Sequence, residues 1–225
     1  MLKYYYNLGP NPMKVTLFLE ESGLPYEAIP IDGRKGDQHT PEYKAINPNS
    51  KAPAIVDDGV RVFDSNAILL YLAKKTGQFT GPAAQEPEML SWLMFVATGI
   101  GPYSGQSVHF RHHAPEKLDY AINRYMFEAR RHYGILDTHL ADKAFMLGDD
   151  YSLVDMAVWG WARLLPVVLG DDALPAMPNL KRLMDWINAR PAAARAEAIK
   201  ERHAFKADMD EASRKNMFPS NYQKS

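Results

Sequence analysis

The feature that most limits what this chain can fold into is a change of hydrophobic rhythm part-way along it. Up to about residue 77, short strand-like and helix-like segments alternate, whereas beyond residue 87 the apolar residues keep helical spacing. "LKYYY" is aromatic and of strand type, and "MKVTLFLEESG" has helical spacing that stops at Gly23, a C-cap residue. "YEAIPID" reads as a second strand and "PEYKAIN" as a helical turn opened by Pro41. "APAIVDD" and "VRVFD" flank Asp57-Asp58-Gly59, which predicts a hairpin. "SNAILLYLAKKTG" closes the series as an amphipathic helix ending at Gly77. The order β-α-β-α-β-β-α in so short a span predicts a small α/β domain whose first strands pair in parallel.

"GQFTGPAAQEP", rich in Gly, Pro and small residues, reads as a linker. The segments that follow, from "EMLSWLMFVATGIGPYSGQSVHF" to "PAAARAEAIKERHAF", predict a helical bundle. The expected organisation is therefore an α/β domain over residues 1–80, a linker over 81–86 and an all-helical domain over 87–205. The polar stretch 206–225 is either a free tail or a covering segment.

Composition narrows the function classes. The formal charge of -1 gives no general attraction to nucleic acid or to a membrane surface. "MLKYYYNLG" lacks the form of a signal peptide, and no apolar run approaches the ~20 residues of a membrane span, so a cytoplasmic protein is expected. The chain has no cysteine, which excludes disulfides, thiolate metal sites and a protein thiol nucleophile. If this protein handles sulfur, the sulfur arrives on a ligand.

Four short stretches could carry chemistry. "LGPNP" is a strand-to-helix turn, where unpaired backbone N–H groups can hold an anion. There Asn11 before Pro12 also reads as an ordinary N-cap. "SKAPAIVDD" puts Pro53 before a strand, and its Ala52–Pro53 bond reads as trans on frequency alone. "FDSNAILLYL" sets Asp64 and Ser65 at a helix start, either as a cap or as the two signs that a free amino-acid end requires. "HFRHH" has His109 and His113 four apart, but no carboxylate at a matching spacing; it reads as a polar loop at the domain interface, and no metal is expected. "DDYSLVDMAVW" is different in kind: Ser152 and Asp155 form a capping-box pattern that starts a buried helix.

Taken together, these stretches resemble the glutathione transferase superfamily over nearly the whole chain. "KVTLFLEE", "GDQHTPEYKAINPNSKAPAIVD", "GQSVHF" and "YAINRY" are most similar to its bacterial nu class of disulfide-bond oxidoreductases, relatives of the fungal nitrogen-regulation prion proteins. The resemblance implies a thioredoxin-like domain, an all-helical domain, a homodimer and a cis bond before Pro53. By position it implies that Ala52 pairs its backbone with the cysteinyl part of glutathione, and that Asp64 and Ser65 hold the γ-glutamyl end. Gln38 and Lys51 match polar contacts around the peptide, and Arg124 matches an arginine that reaches the neighbouring active site. Gln106 and His109 fit the pattern without an assigned role. The turn departs from it: Gly9 stands where a threonine hydroxyl is common and leaves room beside the sulfur. Asn11 is then the candidate catalytic residue, its NH₂ donating to the sulfur, with Tyr5 as the runner-up.

Lowering a thiol pKa from about 8.5 by ~2 units stabilises the thiolate by roughly 2.7 kcal/mol. A helix N-terminus supplies up to ~2 kcal/mol and one hydrogen bond to a charged acceptor about 1.5–3 kcal/mol, so Asn11 and the turn suffice in principle. The expected activity is glutathione-dependent disulfide reduction, both sulfurs coming from ligand. The alternatives are conjugation of glutathione to an electrophilic small molecule, or ether or halide cleavage, and a non-enzymatic glutathione-binding regulator.

Overall fold

The computed structural model describes residues 1–223. Strand β1 (Leu2–Tyr6) leads through the Gly9 turn into helix α1 (Pro10–Ser22), which ends at Gly23 in the left-handed conformation. β2 (Tyr26–Pro30) pairs in parallel with β1. After α2 (Pro41–Ile46), β3 (Ala54–Asp57) runs antiparallel to β1, and β4 (Val60–Phe63) antiparallel to β3. The sheet order is β2-β1-β3-β4. The hairpin turn is Asp58-Gly59, both with positive φ, which the "DG" pair accepts at low cost. α3 (Ser65–Thr76) closes this thioredoxin-like unit and ends at Gly77, again left-handed.

Alternation along β1 sorts its three tyrosines. Tyr4 and Tyr6 are fully buried on the α1 side, where Tyr4 Oη donates to Pro12 O at 2.6 Å and Tyr6 Oη to Ile199 O at 3.2 Å. Tyr5 points to the opposite face and packs against Tyr43 of α2.

The remainder is helical. α4 (Glu86–Phe95) begins inside the stretch expected as linker and runs on through a π turn (Val96–Ile100) into α5 (Gly101–Val108). A second π turn (His109–His113) extends α5. "HFRHH" is thus helical, correcting the loop expected there. Gly105 lies within α5 and does not break it, and the Trp161 ring lies against this position. Then follow α6 (Asp119–His139), α7 (Leu153–Ala162), α8 (Leu165–Leu169), α9 (Pro178–Asn188) and α10 (Pro191–Ala198). The Ser152/Asp155 capping box at the start of α7 is present with both its hydrogen bonds.

One apolar core runs through both halves, and α1 lies directly against α7. At Gly160 they come so near that a Cβ would lie within 2.6 Å of Pro10 O. Past residue 206 the chain forms α11 (Glu211–Met217) and a short turn (Pro219–Tyr222) that fold back over the molecule. Lys206 N–H donates to Asp32 Oδ2 at 2.7 Å and Arg34 Nη1 to Lys206 O at 2.8 Å. At the far end Asn221 Nδ2 donates to His113 O at 3.0 Å, and Phe218 stacks on His113. This segment is a cover rather than a free tail.

Candidate active site

Between the two halves and beneath this cover lie two cavities, of about 680 and 390 Å³, that meet at Asn11, Asn49, Lys51, Trp161, Met217 and Pro219. Asp64 and Ser65 line the larger; Gly9, Gln38 and Ala52 line the smaller. Pro53, buried beside Ala52, follows a cis peptide bond, which corrects the trans reading made on frequency and agrees with the resemblance.

The start of α1 differs from the expected cap. Gly9, not Asn11, is the N-cap, and Pro10 occupies the first helical position. Asn7 brings this about: its Oδ1 accepts the Gly9 N–H at 2.9 Å. The same atom would lie 2.9 Å from a Cβ at position 9, so the room left by the missing side chain is taken by Asn7. Prolines 10 and 12 have no N–H to offer, and Met13 N–H is bonded to Gly9 O at 3.2 Å. Among the described residues only the Asn11 N–H is left at this helix start without an acceptor.

The Asn11 side chain is held from two directions. Its Oδ1 accepts the Trp161 Nε1–H at 2.9 Å and the Ser65 hydroxyl at 3.4 Å. Tryptophan can only donate, so the atom facing it must be the oxygen, and the Asn11 NH₂ is left to face the cleft.

Asp64 caps α3 from φ +72°, accepting the Asn66 N–H at 2.9 Å and the Ala67 N–H at 3.2 Å. Its carboxylate stays exposed, while Ser65 is buried. Ser65 Oγ also accepts from Lys14 Nζ at 3.3 Å, and the same ammonium donates to Asn66 Oδ1 at 3.3 Å. Sequence reasoning missed Lys14. Its signal was a single cation inside "MKVTLFL", three residues beyond Asn11 and so on the same helical face. Burial pushes the Lys14 ammonium down to about 7, and nearby Asp64 pulls it back upward.

Gln38 is nine-tenths buried, and its Nε2 donates to Gly33 O at 3.1 Å and to Asn216 O of the cover at 3.0 Å. Its Oε1 is buried without a hydrogen-bond partner among the described residues. The Lys51 carbonyl is fixed by Tyr43 Oη at 2.8 Å and Asn47 Nδ2 at 2.5 Å, so the backbone entering Ala52–Pro53 is rigidly placed.

Two of the expected residues lie elsewhere. Tyr5, on the far face of the sheet, lines neither cavity. Arg124, exposed on α6, is paired with Glu128 at 2.7 Å. His109 lines the larger cavity next to Phe218, and burial lowers its pKa. No group of three or more metal-ligating side chains occurs among the described residues.

Comparison with known proteins places this geometry. The glutathione S-transferase N-terminal domain matches residues 1–74 and the C-terminal domain residues 96–191. The disulfide-bond oxidoreductase YfcG of Escherichia coli is 41% identical over 204 residues, covering 87% of this chain and 94% of that protein. A glutathione transferase family member from Pseudomonas fluorescens Pf-5, solved with two glutathione bound, is 37% identical with a TM-score of 0.83, over 87% of this chain and 91% of that one. A glutathione transferase from Pseudomonas putida, solved with one glutathione disulfide per subunit, is 35% identical with a TM-score of 0.81, over 87% and 90%.

Proposed function

The chain belongs to the glutathione S-transferase family, and from that premise we propose that its cleft takes two glutathionyl units and reduces disulfides at glutathione's expense. The observation that carries this reading is the meeting of two cavities at Asn11. A disulfide whose halves occupy the two compartments has its sulfurs beside the Asn11 NH₂. The lack of cysteine is consistent with ligand sulfurs alone performing the exchange.

One thiolate, on bound glutathione, attacks the nearer sulfur of the substrate disulfide. A new S–S bond forms between them, and the far sulfur leaves as a thiolate that takes up a proton. A second glutathione repeats the exchange and releases glutathione disulfide. In this reading Ala52 pairs with the cysteinyl backbone, Ser65 holds the γ-glutamyl carboxylate through its backbone N–H at the α3 N-terminus, and Asp64 holds its ammonium. Gln38 contributes a polar contact in the smaller compartment, and exposed Lys51 attracts a carboxylate. Asn11, rather than Tyr5, stabilises the thiolate.

A homodimer is part of the proposal. α6 exposes Tyr120 and Phe127 on either side of Arg124, an amphipathic surface from which Arg124 would reach the partner's cleft. Light scattering reads the dimer. The activity is tested by a glutathione-dependent disulfide reductase assay on Asn11→Ala and Tyr5→Phe. The expected result is a loss of about tenfold to a hundredfold for the first and little change for the second. Unchanged rates for Asn11→Ala remove its role. A wild-type chain that conjugates an electrophile but reduces no disulfide replaces the reading with conjugation.

A further inference from the structure

Lys14 sits where a cation is hard to keep. It is 1% exposed, has no carboxylate within ion-pair distance among the described residues, and lies near the N-terminal end of α1, whose dipole repels positive charge. Its partners are the neutral Ser65 and Asn66. The neighbouring helix is cut away to admit it: a Cβ on Gly160 of α7 would come within 2.4 Å of Lys14 Cγ. A methionine of similar length would fill the same space without the penalty of a buried charge.

What a charged lysine supplies is direction. An ammonium has three donors and no acceptor, so Ser65 Oγ must accept from it and spend its one hydrogen elsewhere. That hydrogen goes to Asn11 Oδ1. At the other end the Trp161 indole, also a pure donor, bonds the same oxygen from the helical half. With a pure donor at each end, the chain Lys14–Ser65–Asn11–Trp161 has one assignment of donors, both arms converging on the Asn11 oxygen. Both acceptor sites of the Asn11 carbonyl are occupied, and the amide cannot rotate its oxygen toward the cleft.

Resting on the function proposed above, we propose that Lys14 is a positioning residue, whose ammonium, together with the Trp161 indole, locks the Asn11 amide with its NH₂ aimed at the ligand sulfur. The lock depends on the lysine proton. A neutral amine has a lone pair, so the Ser65 hydroxyl can turn to it and abandon the weaker of the two bonds to Asn11. The low value of about 7 puts this change within reach of ordinary pH in the free protein. The charged groups facing the same cavity are Asp64 at the start of α3, Lys51 before β3 and His109 beyond α5. From α7 it is met by Gly160, which has no charge.

The test is a double-mutant cycle read on the thiol. Lys14→Met, Asn11→Leu and the pair are compared by the ultraviolet absorbance of bound glutathione thiolate against pH, with S-methylglutathione binding as the control for fold and site. Lys14→Met should raise the apparent thiol pKa and lower kcat about tenfold, with S-methylglutathione affinity changed less than about threefold. In the Asn11→Leu background the same substitution should do nothing more. Trp161→Phe should reproduce the thiol shift from the other end, which keeps the proposal testable if Lys14→Met folds poorly. An unshifted thiol in Lys14→Met, or effects of Lys14 and Asn11 that simply add, would overturn it. If the wild-type chain binds neither glutathione nor S-methylglutathione, the functional reading itself has failed.

Discussion

Helices α1 and α7 lie against each other, yet their starts are built in opposite ways. At α7, Ser152 Oγ accepts the Val154 N–H at 3.3 Å, and the Asp155 carboxylate accepts the Ser152 N–H, the Ser152 hydroxyl and the Met146 N–H at 2.8–2.9 Å. The acid sits where a helix start wants one, and its hydrogen bonds are internal. At α1 there is no side-chain cap and no acid in the first turn; two prolines thin out the donors, and a buried lysine stands nearby. The α7 start is complete without a ligand. Among the described residues the α1 start holds one backbone N–H without an acceptor and an amide pinned from behind, and in the proposed reading a ligand completes it. The difference separates a terminus whose hydrogen bonds are met within the chain from one with capacity left for a ligand.

The contrast can be broken first at α7. Asp155→Ala leaves buried N–H groups unsatisfied and should cost about 2–4 kcal/mol in denaturant unfolding, with the cleft residues untouched. The pH dependence has a definite sign. Desolvation outweighs the hydrogen bonds and raises the Asp155 pKa to about 6, so between about pH 4 and 6 the folded state binds more protons than the unfolded one. Stability contributed by this group therefore falls as pH rises through that window, and Asp155→Asn should flatten the slope.

Next is α1, where the opposite response is expected. Lys14→Met removes a buried charge and should raise stability at neutral pH by roughly 2 kcal/mol while impairing turnover. Because the folded-state lysine titrates near 7, well below its unfolded value, the unfolded chain holds more protons above that pH. Wild-type stability should rise as pH climbs from about 7 toward 10, and the variant should lose that rise. The smallest effect is at the turn itself. Gly9→Thr meets Asn7 Oδ1 and should cost about 1 kcal/mol without raising activity, since its hydroxyl enters space that Asn7 already fills. Combining it with Asn7→Ala should recover most of the loss in a thermal melt.

The parts of this architecture that local chemistry dictates were legible in the sequence. The switch of hydrophobic period predicted an α/β unit followed by helices; Gly23, Gly77 and Asp58-Gly59 marked turns that need positive φ; and Ser152 with Asp155 spelled a capping box. Asn11, Asp64 and Ser65 stood out because polar residues at helix starts are conspicuous, and the structure places all three on the larger cavity. What escaped depends on contacts distant along the chain. Trp161 reaches Asn11 across 150 positions. Lys14 is buried only because Gly160 lets α7 approach, and the cover beyond residue 206 is placed by Asp32, Arg34 and His113. Asn7 was overlooked for a different reason: its bond to Gly9 is local, but the more obvious Asn-Pro pair competed for the same role.

Gly160 shows how closely fold and chemistry are tied here. One absent methyl group sets the spacing of the two halves, admits the stem of Lys14 and allows Trp161, its next neighbour in sequence, to reach the Asn11 amide. Any side chain at 160 would pry the halves apart and withdraw the indole in the same movement. At this contact the packing of the halves and the reach of the indole share a single distance, so a substitution there changes both together.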